Sequence, residues 1–171
     1  MVSPELLRRY PFFADLSAEQ LITLANAADE MSVAEGHYFF HQEEELDHFY
    51  IVIEGKIHIL VDLPDPDIDH PVSRQLTGDL ITKEIEVSRI EPGEMFAWSA
   101  LVPPHRATSS SKALTPGRVI SFDCRGLRQS FEEDCRFGYM MMRKASQVIR
   151  ERLRDMRLES LQDQLGAIEM N

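Results

Sequence analysis

Three side chains near one another in sequence could ligate a metal. They form the pattern His41-x-Glu43-x4-His48, followed after six residues by Gly55. Imidazole and carboxylate together suit Fe, Mn, Ni or Zn, and strands flanking a turn could bring the three together. Residues of a surface hairpin explain His41, Glu43 and His48 adequately, and that is the favoured reading. The two cysteines, Cys124 and Cys135, are too few for a disulfide framework or a four-thiolate cluster. Free thiols are the simpler reading. No Gly-x-Ser-x-Gly elbow and no Walker-type phosphate loop occurs. The last third carries a basic run, Arg143, Lys144, Arg150, Arg152, Arg154 and Arg157, among Glu151, Asp155 and Glu159. It reads as a solvated helix face, with one alternative: an arginine that reaches a partner's pocket or docks an acidic partner.

The elements that hold these residues announce themselves unevenly. Ser17-Ala-Glu-Gln20 is a capping box, and Leu16 and Leu21 are placed to staple the helix entry. Leu21, Leu24, Ala25 and Ala28 continue at helical spacing, so a helix starts after Ser17. Past Met31 the period changes. Met31–Val33, Tyr38–His41, Phe49–Ile53, Lys56–Val61, Ile81–Ile90, Lys112–Leu114 and Val119–Phe122 read as short strands. Glu54-Gly55 predicts a tight hairpin turn. Leu63 to Asp79, with Pro64, Pro66 and Pro71, predicts a long hairpin loop. Arg125–Ser130 predicts a short helix. From about Arg136 onward, Phe137, Met141, Ala145, Ile149, Leu153, Met156, Leu161 and Leu165 form one stripe of a helix of about 25–30 residues, about 40 Å long. Such a helix outruns a small barrel, so a second copy of it is the expected partner for Met141, Ala145, Ile149, Leu153 and Met156. The alternative is a helix folded back on its own barrel. The expected fold is α+β and mainly β: a jelly roll, or double-stranded β-helix, with short N-terminal helices and a long C-terminal dimerisation helix. The expected division is residues 1–135 for the roll with its N-terminal helices and 136–171 for the long helix.

That order of elements resembles the cyclic-nucleotide-binding domain family, including bacterial Crp/Fnr-type regulators, over about residues 10–160. Three segments carry the resemblance: Phe12-Phe13-Ala-Asp-Leu16-Ser17; Glu35-Gly36…Phe39…Gln42…Asp47…Tyr50-Ile51-Val52…Gly55-Lys56-Ile57; and Pro92-Gly93-Glu94-Met-Phe-Ala-Trp98-Ser-Ala-Leu101…Arg106-Ala-Thr108-Ser-Ser-Ser-Lys-Ala113. The third looks like the family's phosphate-binding cassette. A short helix after Phe96 would point free N–H groups at an anionic phosphate. Small residues such as Ala97 and Ala100 would let a ligand approach the backbone. The resemblance implies Gly93, Glu94, Phe96, Ala97, Trp98, Ser99, Ala100, Arg106, Ala107 and Thr108 as the ligand-binding set. It also implies an acid in the cassette helix for a ribose hydroxyl and an arginine after the loop for the cyclic phosphate. Here Trp98 falls where the acid should be, and an indole cannot accept as a carboxylate does. Counting back from Lys112-Ala113 puts Ala107 at the arginine position, with Arg106 displaced by one. In a strand, a one-residue slip turns a side chain to the other face, whereas a loop can absorb it. The resemblance thus implies a sensor whose pocket takes a cyclic nucleotide or another small anionic ligand, with Trp98 as a stacking surface or as a plug that fills the pocket.

The metal-capable pattern is spaced like the first motif of the cupins, which share the jelly-roll topology, although in that family the order is His, His, Glu. That resemblance also implies a further histidine after the Pro-Gly turn, where Pro92-Gly93-Glu94-Met-Phe96 supplies none and Glu94 is the only nearby candidate. A cupin-type metalloenzyme and a ligandless dimeric interaction protein are the alternatives to a non-catalytic sensor. Composition bounds all three. The chain has 171 residues with a net charge of −11. Residues 1–142 carry twelve basic and twenty-four acidic side chains, whereas 143–171 carry six and five. Phosphate neutralisation dominates duplex binding, so this balance argues against a dedicated nucleic-acid binder. The family's transcription factors add a helix-turn-helix after the long helix, which takes about 60 residues or more. The expectation is therefore no direct DNA binding by this chain. No stretch approaches 20 apolar residues and no signal peptide leads the chain, so a soluble, cytoplasmic protein without a metal or bound cofactor is expected.

Overall fold

Two four-stranded antiparallel sheets face each other, and their order explains which residues meet. In this computed structural model the described residues are 2–65, 68 and 80–169, with the side chains of the last helix described as far as Leu158. Helix α1 (Pro4–Leu7) and a 3-10 turn (Pro11–Phe13) lead into α2 (Ala18–Asn26). The expected capping box is formed in full: Ser17 Oγ accepts from the Gln20 amide, and Gln20 Oε1 accepts from the Ser17 amide. The strands are β1 (Ala28–Val33), β2 (Tyr38–Phe40), β3 (His48–Glu54), β4 (Ile57–Pro64), β5 (Thr82–Ile90), β6 (Met95–Phe96), β7 (Ser110–Ala113) and β8 (Gly117–Asp123). One sheet has the order β1-β8-β3-β6 and the other β2-β7-β4-β5. Helices α3 (Cys124–Glu133) and α4 (Cys135–Glu169) close the chain. The α+β, mainly β jelly-roll architecture expected from the sequence is the one observed.

Aromatic rings cluster on one face of the β3/β8 pair. Phe49 stacks on Phe122 at 4.4 Å, Phe13 lies 5.4 Å from Phe122, and Phe12 lies 6.0 Å from Phe49. The Phe12-Phe13 pair thereby pins the N-terminal turn to the β3/β8 face. Gly55 makes the β3–β4 turn at φ +92°, and Pro116 O lies only 2.9 Å from where a Cβ would sit. Glycine is required there by both conformation and space. Strand β4 pairs with β5 from Ile57–Ile90 to Pro64–Thr82, so the two form the expected hairpin. Residues 66, 67 and 69–79 of the predicted Leu63–Asp79 loop lie outside the described residues. Strand β6, two residues long, has no counterpart in the sequence reading.

Helix α4 departs from expectation in length and in facing. It runs 35 residues, about 52 Å at the usual rise. Phe137, Met141 and Ala145 are buried in the core of their own barrel, so they are not free to meet a second copy. The physical reason is the four-residue spacing of the predicted stripe. Each step of four advances about 40° around a helix, so the stripe begins on the barrel and ends facing solvent. Ile149 is half-buried, and Leu153 and Met156 are 47% and 48% exposed. The side chains of Leu161 and Leu165 lie outside the described residues.

Candidate ligand cavity under the long helix

The candidate site begins at β6, where Phe96 is locked by two rings. It stacks on Tyr50 at 4.9 Å and meets Phe39 edge-on at 5.0 Å. The chain then turns through Ala97 at φ +63° into a single 3-10 turn, Trp98–Ala100. A left-handed alanine is uncommon and strained by about 1 kcal/mol or more. The effect is to aim Trp98 back toward the sheet β2-β7-β4-β5. A cavity of about 240 Å³ lies in front of it. Ile59 of β4, Val87 and Ser88 of β5, Phe40 of β2, and Arg152 and Met156 of α4 complete its wall. Trp98 therefore lines the cavity and does not plug it.

The loop after the cassette is held in extended pairing with the segment before β3. Ala107 N donates to Glu44 O at 2.8 Å, Glu43 N to Ala107 O at 2.9 Å, and Leu46 N to His105 O at 2.7 Å. Alternate side chains of an extended segment face opposite ways. Ala107 is buried and faces the cavity. Arg106 points away, exposed, with its Nη1 donating to Glu43 O at 3.2 Å. The structure thus holds Arg106 outside the cavity. Of the other predicted residues, Phe96, Ala97, Trp98, Ser99, Ala107 and Thr108 line this cavity, whereas Ala100 is buried behind the 3-10 turn. Gly93 and Glu94 instead line a second cavity, about 320 Å³, with Phe12, Lys144 and Arg152. Burial pushes the Lys144 amine below its usual range.

Two arginines matter that the sequence did not single out. Arg152 separates the two cavities. Its Nη2 lies 3.4 Å from Glu94 Oε1 and its Nη1 donates to Ser88 Oγ at 3.5 Å. It is the arginine of the basic run that lines both cavities, and they belong to its own chain. The signal available was spacing: Arg152 follows buried Ala145 by seven residues, so it sits on the barrel-facing stripe. Arg128 of α3 clamps the cassette from behind. Its guanidinium donates to Asp47 Oδ1 at 3.1 Å, Leu46 O at 2.7 Å and Ala100 O at 3.2 Å. Arg128 thus ties α3 to the cassette and to the segment before β3.

The metal-capable residues do not converge. His41 stacks on Tyr38 at 4.4 Å, His48 stacks with Tyr50 at 6.4 Å, and Glu43 sits in a left-handed turn at φ +67°. Among the described residues no three His, Cys, Asp or Glu side chains group as metal ligands would. Nor, among them, is any helix long and apolar enough to cross a membrane.

A two-sheet roll with a cassette at one end and a long helix across its cavity defines a ligand-binding module. The chain belongs to the cyclic nucleotide-binding domain family, whose pattern matches residues 30–134. It is similar to the cGMP-dependent protein kinase of Caenorhabditis elegans, 26% identical over 152 residues, covering 85% of this chain and 17% of that one. It is also 26% identical over 124 residues to the CRP-like cAMP-activated global transcriptional regulator of Mycobacterium tuberculosis, covering 72% and 48%. The chain thus spans about a sixth to a half of the length of these relatives. Among solved structures, a protein of Geobacter metallireducens described as cyclic nucleotide-binding is 28% identical, with a TM-score of 0.73 over 90% of this chain and 99% of that one.

Proposed function

We propose that this protein is a regulatory sensor: it binds a small effector in the cavity beneath α4 and carries out no catalytic step. Occupancy is passed on through α4, and two copies associate along the outward face of that helix. The observation that carries this reading is the 240 Å³ cavity closed by the cassette on one side and by Arg152 and Met156 of α4 on the other. An effector seated there touches both the cassette and the helix, so it can bias where the helix lies. The same cavity favours an effector-binding role over a ligandless interaction protein. Two free cysteines, Cys135 of them exposed, suit the reducing cytoplasm.

The effector is not an ordinary cyclic purine nucleotide held in the family's usual way. Trp98 stands where a carboxylate acceptor is expected, and Ala107 faces the cavity where an arginine is expected. A polar ligand that loses its partners on both sides of its ring is rejected by orders of magnitude. Calorimetric titration with cyclic AMP and cyclic GMP tests this. The expected result is no binding in the micromolar range, and micromolar binding of either nucleotide overturns it.

A further inference from the structure

The charge inside the cavity has moved from the cassette to the helix. Among the described residues lining it, Arg152 is the single charged one, set among Phe40, Ile59, Val61, Phe96 and Trp98. Its side chain is only 20% exposed. A guanidinium carries five N–H donors in a planar fork. Here its hydrogen bonds are to Ser88 Oγ at 3.5 Å and Glu94 Oε1 at 3.4 Å. Both are long compared with the 2.7–2.9 Å of a well-made charge-assisted bond. Glu94 is not free to close the gap. Its other oxygen, Oε2, accepts from the Glu91 amide at 2.7 Å, which ties the carboxylate to the β5–β6 turn. A largely buried cation with weak partners on the edge of an apolar cavity has donors to offer a ligand.

We propose that the effector is a small monoanionic organic acid, with an aromatic or aliphatic body against Trp98 and Phe96 and its carboxylate on Arg152 of α4. This rests on the cavity being an effector site and names what that site takes. The single charge follows from two observations. Ala107 leaves the cassette without a cation, and the chain's net charge of −11 opposes entry of a more highly charged anion such as a phosphate monoester. A carboxylate matches the guanidinium fork with two parallel hydrogen bonds. In accepting them it competes with Glu94, so ligand binding exchanges a tether between α4 and the β5–β6 turn for one between α4 and the effector.

Trp98 is the sole tryptophan of the chain and lines the cavity, so its emission reports occupancy directly. The probes are phenylacetate, phenylpropionate and phenylbutyrate, each paired with its primary amide. At least one acid is expected to shift Trp98 emission saturably, with its amide weaker by about tenfold or more, the difference a single charge-assisted pair provides. Arg152→Gln should reduce that acid to the level of its amide, Arg152→Lys should retain part of the preference, and Glu94→Gln should tighten the acid by removing its competitor. Thermal unfolding of each variant establishes that it is folded. Equal binding of acid and amide, or an acid affinity unmoved by Arg152→Gln in the folded variant, overturns the assignment to Arg152 while leaving the cavity as an effector site. If no acid or amide moves Trp98 emission, both the assignment and the effector reading fall.

Discussion

In the proposed reading, the residues that set what the cavity rejects are Ala107 and Trp98. Ala107 is buried and faces the cavity, its backbone paired with Glu43 and Glu44 beside the single bridge between Glu45 and Arg106. Arg106, one residue earlier, is exposed and bonded to the Glu43 carbonyl. Reversing the two departures should restore what is missing. Ala107→Arg supplies a phosphate partner from the cavity side, and Trp98→Glu supplies a carboxylate acceptor while opening space. A hydrogen bond to a charged group contributes about 1.5–3 kcal/mol, or about 10- to 100-fold in affinity. The double variant should therefore bind cyclic AMP at least tenfold more tightly than the native chain by calorimetry. Arg106→Ala should leave the affinity unchanged. A variant in which Arg106→Ala alone alters nucleotide binding would mean that the loop re-registers on binding and that the outward position is not its working one.

At the scale of elements, α3 couples the cassette to α4, and its start is the testable part. Asp123 caps it: the carboxylate accepts from the Arg125 amide at 2.9 Å and pairs with the Arg125 guanidinium at 2.6 Å. That guanidinium holds the Asp123 carboxyl down at about 2. Because the folded state prefers the ionised form, this contribution is full above the ordinary aspartate range near pH 3.9 and fades as pH falls toward 2. The pair is exposed and screened, so most of its worth lies in the cap. Asp123→Ala should cost about 1 kcal/mol at neutral pH in urea unfolding, and Asp123→Asn should cost less because asparagine also caps. The difference between native and Ala forms should shrink as pH is lowered through that window. What was legible in the sequence follows the same division between local and distant causes. The Ser17/Gln20 box, the Gly55 turn and the order of strands depend on neighbours in the chain and were readable. Strand β6 was too short to show a period. Arg152 and Arg128 owe their partners to segments more than twenty residues away, and only the seven-residue spacing from Ala145 sets Arg152 apart from the other arginines of its helix. The helix stripe was read with spacings of four, whereas the barrel-facing one is Met141, Ala145, Val148 and Arg152, which alternates four and three and stays on one side.

The whole molecule is governed by the face that this stripe leaves behind. Tyr139, Ser146, Ile149 and Leu153 follow one another at seven, three and four residues on the side of α4 turned away from the cavity, the seam spacing of a two-stranded coiled coil. Tyr139 is 64% exposed and Leu153 47% exposed. A helix of about 52 Å carrying such a seam is best covered by a second copy related by a two-fold axis. The expected solution mass is that of two chains, and Ile149→Glu with Leu153→Glu should reduce it to one, since like charges would then meet at the seam. Neither substitution enters the core. The charge distribution adds a second expectation that distinguishes this dimer from one held by ion pairs. Each chain carries −11 overall, with the excess on residues 1–142, while residues 143–171 are nearly balanced. Two such bodies repel at long range and attract through an apolar seam at short range. Salt screens the repulsion and leaves the seam intact. Sedimentation equilibrium should therefore show association tightening as sodium chloride is raised from low to moderate concentration. Weakening with salt would identify an interface built on charge pairs instead, and the seam on α4 would then not be where two chains meet.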